Sequence, residues 1–313
     1  MSRARRGRPI HGWLAIDKAA GQTSTDVVNR VKRLTQAQKC GHGGTLDPLA
    51  TGVLPIALGE ATKTVQYVMD ARKTYRFTLR LGEARDTDDA EGKVVATSEQ
   101  RPSDGEIEAA LVPFRGEILQ RPPAFAAVKV QGERAYDLAR RGEPVALEPR
   151  RVRIDDLRLV ARPDPDHASF EMLCGKGAYV RALARDLGEA LGCLAHVAEL
   201  RRIAVGPFGL DRALTLDALE RLVEEDSLPQ ALISVATALA GIPALAVTEP
   251  QALRLRSGQP IRIVPRLLGE DAVDGSTIKV TQAGELVALA RLEGAELSPL
   301  RVFNLKGGEA ARP

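Results

Sequence analysis

One carboxylate in this chain sits where a reactive group could be built. Asp47 lies within Gly41–Lys63, GHGGTLDPLATGVLPIALGEATK. Gly41, Gly43 and Gly44 precede it and allow close approach to the backbone, which residues with a Cβ resist. Pro48 follows it and pushes Asp47 away from helical angles, toward a turn or an extended conformation. Leu49, Ala50, Val53, Leu54, Ile56, Ala57 and Leu58 then form an apolar run interrupted by Gly52 and Pro55. The run is too short to cross a membrane and reads as core packed under the loop. An acid on such a rigid support has the makings of a nucleophile or a base. Alone, an Asp-Pro pair is also an ordinary turn.

Two further stretches could serve that acid. Glu171–Leu191, EMLCGKGAYVRALARDLGEAL, reads as a strand, a Gly175-Lys176-Gly177 turn and a helix from about Tyr179. Val180, Leu183, Ala184, Leu187 and Leu191 recur at helical spacing and face the core. Arg181 lies off that stripe in the first helical turn. A cation there opposes the helix dipole unless an acid or phosphate pairs with it. It is either a surface arginine or one held by a functional anion, and its conflict with the local rule hints at function. Lys73–Leu81, KTYRFTLRL, alternates strictly, with Tyr75, Phe77, Leu79 and Leu81 on one face, and predicts a half-buried strand. Tyr75 is then a rim residue of the apolar face or a ring on which a base could stack.

The remaining elements must position these groups. Gly12–Ser24 predicts a short strand and a turn, then a helix capped by Thr23 or Ser24 and running to about Leu34. Glu83–Lys93, EARDTDDAEGK, is an acidic loop or hairpin that could shape a cleft, and its spacing fails the EF-hand pattern. Ser103–Phe114 reads as a capped helix. Asp226–Val235 closes a first, large domain. A short helix over Val247–Arg256 follows, then short strands at Ile261–Val264, Thr277–Thr281, Leu286–Leu292 and Leu300–Asn304.

Bulk properties bound the reading. A length of 313 residues suggests about two domains. Lys and Arg number 44 against 41 Asp and Glu, so the distribution of charge matters more than its sum. MSRARRGRPI carries four arginines and no acid, and Arg140, Arg141, Arg150, Arg151 and Arg153 form a second basic cluster. Such patches attract phosphate backbones, or are merely solvated faces. Aromatic residues make up 4%, so any base stacking must rest on a few rings. Cys40, Cys174 and Cys193 form no CxxC pair, which argues against a disulfide framework or a zinc site. No run of 18 apolar residues occurs and no apolar segment follows the basic start, so cytoplasmic localisation is expected. The absence of a phosphate-binding loop, a dinucleotide fingerprint and metal spacing predicts no cofactor and no metal.

Residues His42 to Pro55 resemble the pseudouridine synthase signature H-x-G-T-L-D-P-x-A-x-G-V-L-P, and within it the TruB family, which modifies the T-loop of tRNA. Gly12–Ser24 and the G-T/A-Y-I/V-R pattern ending at Arg181 add to the resemblance, which spans about Gly12 to Leu216. It implies an α+β pseudouridine-synthase fold, a mixed, mostly antiparallel sheet flanked by helices. A small C-terminal β-rich PUA-like RNA-binding domain would follow. The implied domains are a basic mobile arm at 1–10, a catalytic domain at 11–245 with an RNA-clasping insertion at about 120–153, and the PUA-like domain at 246–308.

The activity implied is isomerisation of uridine at position 55 of tRNA to pseudouridine, after the base is flipped into a pocket. Alternatives are the same chemistry on another RNA, or a non-catalytic tRNA-folding protein. Asp47 corresponds to the family's catalytic aspartate, and Arg181 would hold it ionised and oriented. Tyr75 would stack on the uracil and handle the C5 proton. Tyr179 and Leu200 match positions lining the uracil pocket, His42 would fill the vacated space, and Lys63 would meet a phosphate. Expected partners are the T-arm of tRNA, no DNA and no membrane, with the protein a monomer. The chain departs from the family at Lys18-Ala19, where Lys-Pro is usual, and at Ala126, where Ser is common.

Overall fold

The first strand, Ile10–Lys18, is buried at eight of its nine positions because both of its edges and both of its faces are covered. In the computed structural model it pairs antiparallel with Thr51–Leu58, the apolar run that follows Asp47, and parallel with Ala213–Leu214. The structure describes residues 7–125, 129–130, 133–134, 141, 147–264, 273–305 and 309–310. The arm at 1–6, part of the insertion including Ala126 and Arg140, and 265–272 of the small module lie outside the described residues.

The large sheet runs Ala213–Leu214, Ile10–Lys18, Thr51–Leu58, Ala195–Val205, Lys73–Leu81, His167–Cys174, Arg150–Asp164, Gly116–Gln120. Along that order only the Ala213–Leu214 and Thr51–Leu58/Ala195–Val205 pairings are parallel, so the sheet is mixed and mostly antiparallel as expected. Helices Ser24–Thr35, Asp104–Leu111 and Val180–Ala190 cover one face, with Val27, Val31, Ile107, Leu111, Leu183 and Leu187 in the same core as Phe77 and Phe170. Those two rings stack at 5.4 Å. Thr23 and Ser103 each close a capping box, which fixes where their helices start.

A second sheet follows the order Ala244–Ala246, Thr277–Gln282, Glu285–Glu293, Glu296–Val302, Ile261–Arg262, with the helix Glu249–Arg256 packed on it. Its last long strand starts at Glu296 rather than at Leu300. A tight turn at Gly294 (φ +59°) pairs Glu293 with Glu296, and Pro299, which cannot donate to the ladder, sits at a register shift. Leu286, Leu289 and Phe303 share a core cluster with Trp13, Val53, Ile233 and Val235 of the large domain. The stretch expected to close the first domain is thus part of a common interior, and Glu309–Ala310 pairs with Ile10–His11.

Candidate active site

Asp47 sits in the loop between Cys40–His42 and Thr51–Leu58, and three buried cations fix that loop. Lys18, fully buried, donates from Nζ to the carbonyls of Ala19 (2.9 Å), Gln22 (2.8 Å) and Pro48 (3.1 Å), tying the first turn to the residue after Asp47. Burial pushes its ammonium down to about 8, with Asp47 opposing the shift. Arg202, 1% exposed, donates to the carbonyls of Val53 (2.8 Å), Thr45 (3.2 Å) and Gly44 (3.1 Å). It also lies near enough to the Tyr75 phenol to act on its charge. The third cation is Arg181.

Arg181 is no surface residue: its side chain is 6% exposed and its Nε lies 2.9 Å from Asp47 Oδ2. The same Nε is 3.6 Å from Asp89 Oδ2, while Nη1 donates to Thr87 O (3.3 Å) and Nη2 to Phe125 O (3.1 Å). Two carboxylates therefore answer the unfavourable placement of a cation at a helix N-terminus. The Asp47 side chain remains 36% exposed, so a substrate can reach it.

The acidic loop is a hairpin, with Glu83–Arg85 paired to Val94–Thr97, and its tip is fastened to the large sheet. Val197 N donates to Asp88 O and Ala90 N to Val197 O. Asp89, 4% exposed, accepts from Thr87 Oγ1 (2.6 Å) and Glu91 N (3.1 Å), which orients it toward Arg181.

Tyr75 is half-buried, packed against the main core and opposite Arg202 in the register. Burial pushes its phenol well above the usual range, so the ring is neutral. Leu200, opposite Phe77, and Arg202 lie on the same sheet face as Tyr75. Tyr179 caps the Arg181 helix, its backbone N–H and carbonyl both hydrogen-bonded to the Gln120 side chain. His42 Nδ1 accepts from Gly44 N at 3.3 Å, and burial followed by Arg202 lowers its pKa, which keeps the ring neutral. Lys63 does not join this group. Its Nζ lies 2.6 Å from Glu60 Oε2 and 2.7 Å from Val302 O, and 5.8 Å from the Phe303 ring, against the small module.

Sequence reasoning missed Lys18, Asp89 and Arg202. In the sequence Lys18 stands out only for the Ala19 that follows it in place of proline, and Asp89 is one acid among several in a charged loop. Arg202 carries one available signal, its place in an otherwise apolar alternation opposite Tyr75.

Gly52 is where loop and sheet meet most tightly. Its φ is +99° and a Cβ would lie 2.2 Å from the Arg202 carbonyl oxygen. Gly52→Ala is expected to destabilise the fold by roughly 3 kcal/mol, from strain plus overpacking. A denaturant titration showing no change in midpoint would contradict this.

Two family models match the chain, the TruB family pseudouridylate synthase (N terminal domain) over residues 32–180 and the tRNA pseudouridylate synthase B C-terminal domain over 181–240. Among similar curated proteins, tRNA pseudouridine synthase B of Gluconacetobacter diazotrophicus is 54% identical and aligns with 96% of this chain and 100% of its own. The protein of that name from Nitrobacter winogradskyi is 56% identical, over 96% of this chain and 84% of its own. Among solved structures, a chain of a Cbf5-Nop10-Gar1 complex superposes with a TM-score of 0.75 at 25% identity, covering 100% of this chain and 94% of that one.

Proposed function

The chain belongs to the TruB family of pseudouridylate synthases, and from that premise we propose that it converts uridine 55 in the T-loop of tRNA to pseudouridine. The observation that carries the reading is the 2.9 Å ion pair between Arg181 and a still reachable Asp47. It joins the first residue of one family-matched segment to the signature acid of the other.

In the reaction the bond between uracil N1 and ribose C1′ breaks, the base turns, and C5 bonds to C1′. The C5 proton leaves and N1 gains one, so the product is an isomer and nothing is oxidised. We assign Asp47 as the catalytic carboxylate beside the ribose and the base. Arg181 balances its charge and fixes its direction, and Asp89 holds Arg181. Tyr75 offers a neutral ring on which the freed uracil stacks. The raised phenol pKa supports stacking over proton removal near neutral pH. Leu200 and Tyr179 line the base pocket, and neutral His42 fills the space that the flipped base leaves.

Lys63 is the weakest of the assigned RNA contacts, since its ammonium is already held by Glu60 and by the Val302 carbonyl of the small module. The five-stranded module is read as PUA-like and as an aid to tRNA binding. We propose that the protein acts as a monomer. No described helix is long and apolar enough to span a membrane, and the proposed site of action is the cytoplasm.

The test is to incubate purified protein with an unmodified tRNA transcript and map pseudouridine chemically, alongside tRNA from cells lacking the protein. Pseudouridine at position 55 in the first and its absence in the second are expected. Modification only elsewhere would move the substrate to another RNA. Binding without modification would leave a folding protein.

A further inference from the structure

One helical turn beyond Arg181, a second arginine repeats its arrangement. Arg185 Nη1 lies 3.3 Å from Asp88 Oδ2, and its Nη2 donates to Arg121 O at 2.9 Å. Arg181 likewise reaches Asp89, next in the same loop, and Phe125 O, four residues along the same segment. The two arginines are four residues apart and so lie on one helix face. They form a ladder against adjacent acids of the hairpin tip. Arg185 also pairs with Asp186 (Nη2 to Oδ1, 2.7 Å).

The charges around Asp88 are closely matched. Its side chain is 16% exposed, and the groups acting on it are Arg185 and Arg181, which attract its charge, and Asp186 and Asp89, which repel it. Burial, more than those acids, raises its carboxyl to about 6. Among the described residues, the other cation that acts strongly on Asp88 is Arg181, the one that Asp47 uses.

We propose that Arg185 is a positioning residue for the isomerisation: by engaging Asp88 it keeps that carboxylate from drawing Arg181 away from Asp47. The hydrogen bonds and ion pairs of Arg185 go to Asp88, Asp186 and Arg121 O and not to Asp47, so its effect on Asp47 would pass through Arg181. The proposal rests on the functional reading above, with Arg181 as the partner of Asp47. The other role open to Arg185 is a staple between the hairpin tip and the chain at Arg121, and the two roles give opposite results in a double variant.

The experiment measures single-turnover isomerisation and tRNA affinity for the parent, Arg185→Gln, Arg185→Lys, Asp88→Asn and Arg185→Gln with Asp88→Asn. Glutamine keeps a donor for Arg121 O and removes the cation. Asparagine tolerates the positive φ of position 88, +59°. Arg185→Gln is expected to slow the chemical step about tenfold with little change in tRNA affinity. Arg185→Lys should stay near the parent rate. Adding Asp88→Asn to Arg185→Gln should restore the rate to about that of Asp88→Asn alone, because the competing carboxylate is gone. A double variant as slow as Arg185→Gln, or an Arg185→Gln variant as fast as the parent, would overturn the proposal. A parent that is inactive on tRNA would instead overturn the functional reading.

Discussion

Asp47→Asn is expected to lower turnover by at least about 10³-fold, the scale seen when a central catalytic group is removed, while tRNA binding stays close to the parent. The amide keeps the size of the side chain, and its oxygen can still accept from Arg181 Nε. What disappears is the negative charge that attacks or abstracts. The fold should tolerate the change, because Arg181 retains Asp89 at 3.6 Å and two backbone carbonyls. Binding rests on many phosphate contacts spread over the surface, whereas the chemistry rests on one carboxylate. Release of tritium from C5 of uridine in labelled tRNA, with a filter-binding isotherm, reads the two separately. Turnover within tenfold of the parent would remove Asp47 from the mechanism.

Arg181→Lys should cut turnover by about 100-fold or more, although the charge is conserved. The guanidinium serves Asp47, Asp89, Thr87 O and Phe125 O from fixed directions in one plane. An ammonium on a flexible stem cannot reach all four, and the partner it abandons is left without its donor. Some loss of stability, roughly 2 kcal/mol, should accompany the kinetic effect because the side chain is almost fully enclosed. Rates compared at a temperature well below both melting midpoints separate the two effects. A lysine variant with normal kinetics would show that the planar fork is dispensable.

The parts of the site that were legible in the sequence broke a local rule or obeyed one strictly. Asp47 was visible through its glycines and Pro48, Arg181 through its conflict with the helix dipole, and the Tyr75 strand through its alternation. The capped helices were legible for the same reason, since Thr23 and Ser103 act within one turn. What stayed hidden depends on contacts across long separations. Lys18 meets Pro48 and Arg202 meets Gly44 only after the strands have paired, and nothing local marks either cation as buried. Asp89 differs from Asp88 and Asp86 only in where the hairpin tip docks on Val197. The expectation that Lys63 meets a phosphate did not foresee that, besides the nearby Glu60, its ammonium reaches Val302 O across 239 residues.

The shared interior of the two sheets has a consequence for the protein's synthesis. Ile10–Lys18 is synthesised long before Leu286, Leu289 and Phe303, which complete the apolar cluster around Trp13. Until then a buried strand of the large sheet carries an unfinished surface. The nascent chain must therefore hold that surface against aggregation for most of its translation, at speeds of about 5–20 residues per second. Chain closure, rather than any single domain, then sets the moment at which the enzyme becomes a finished, self-protecting body.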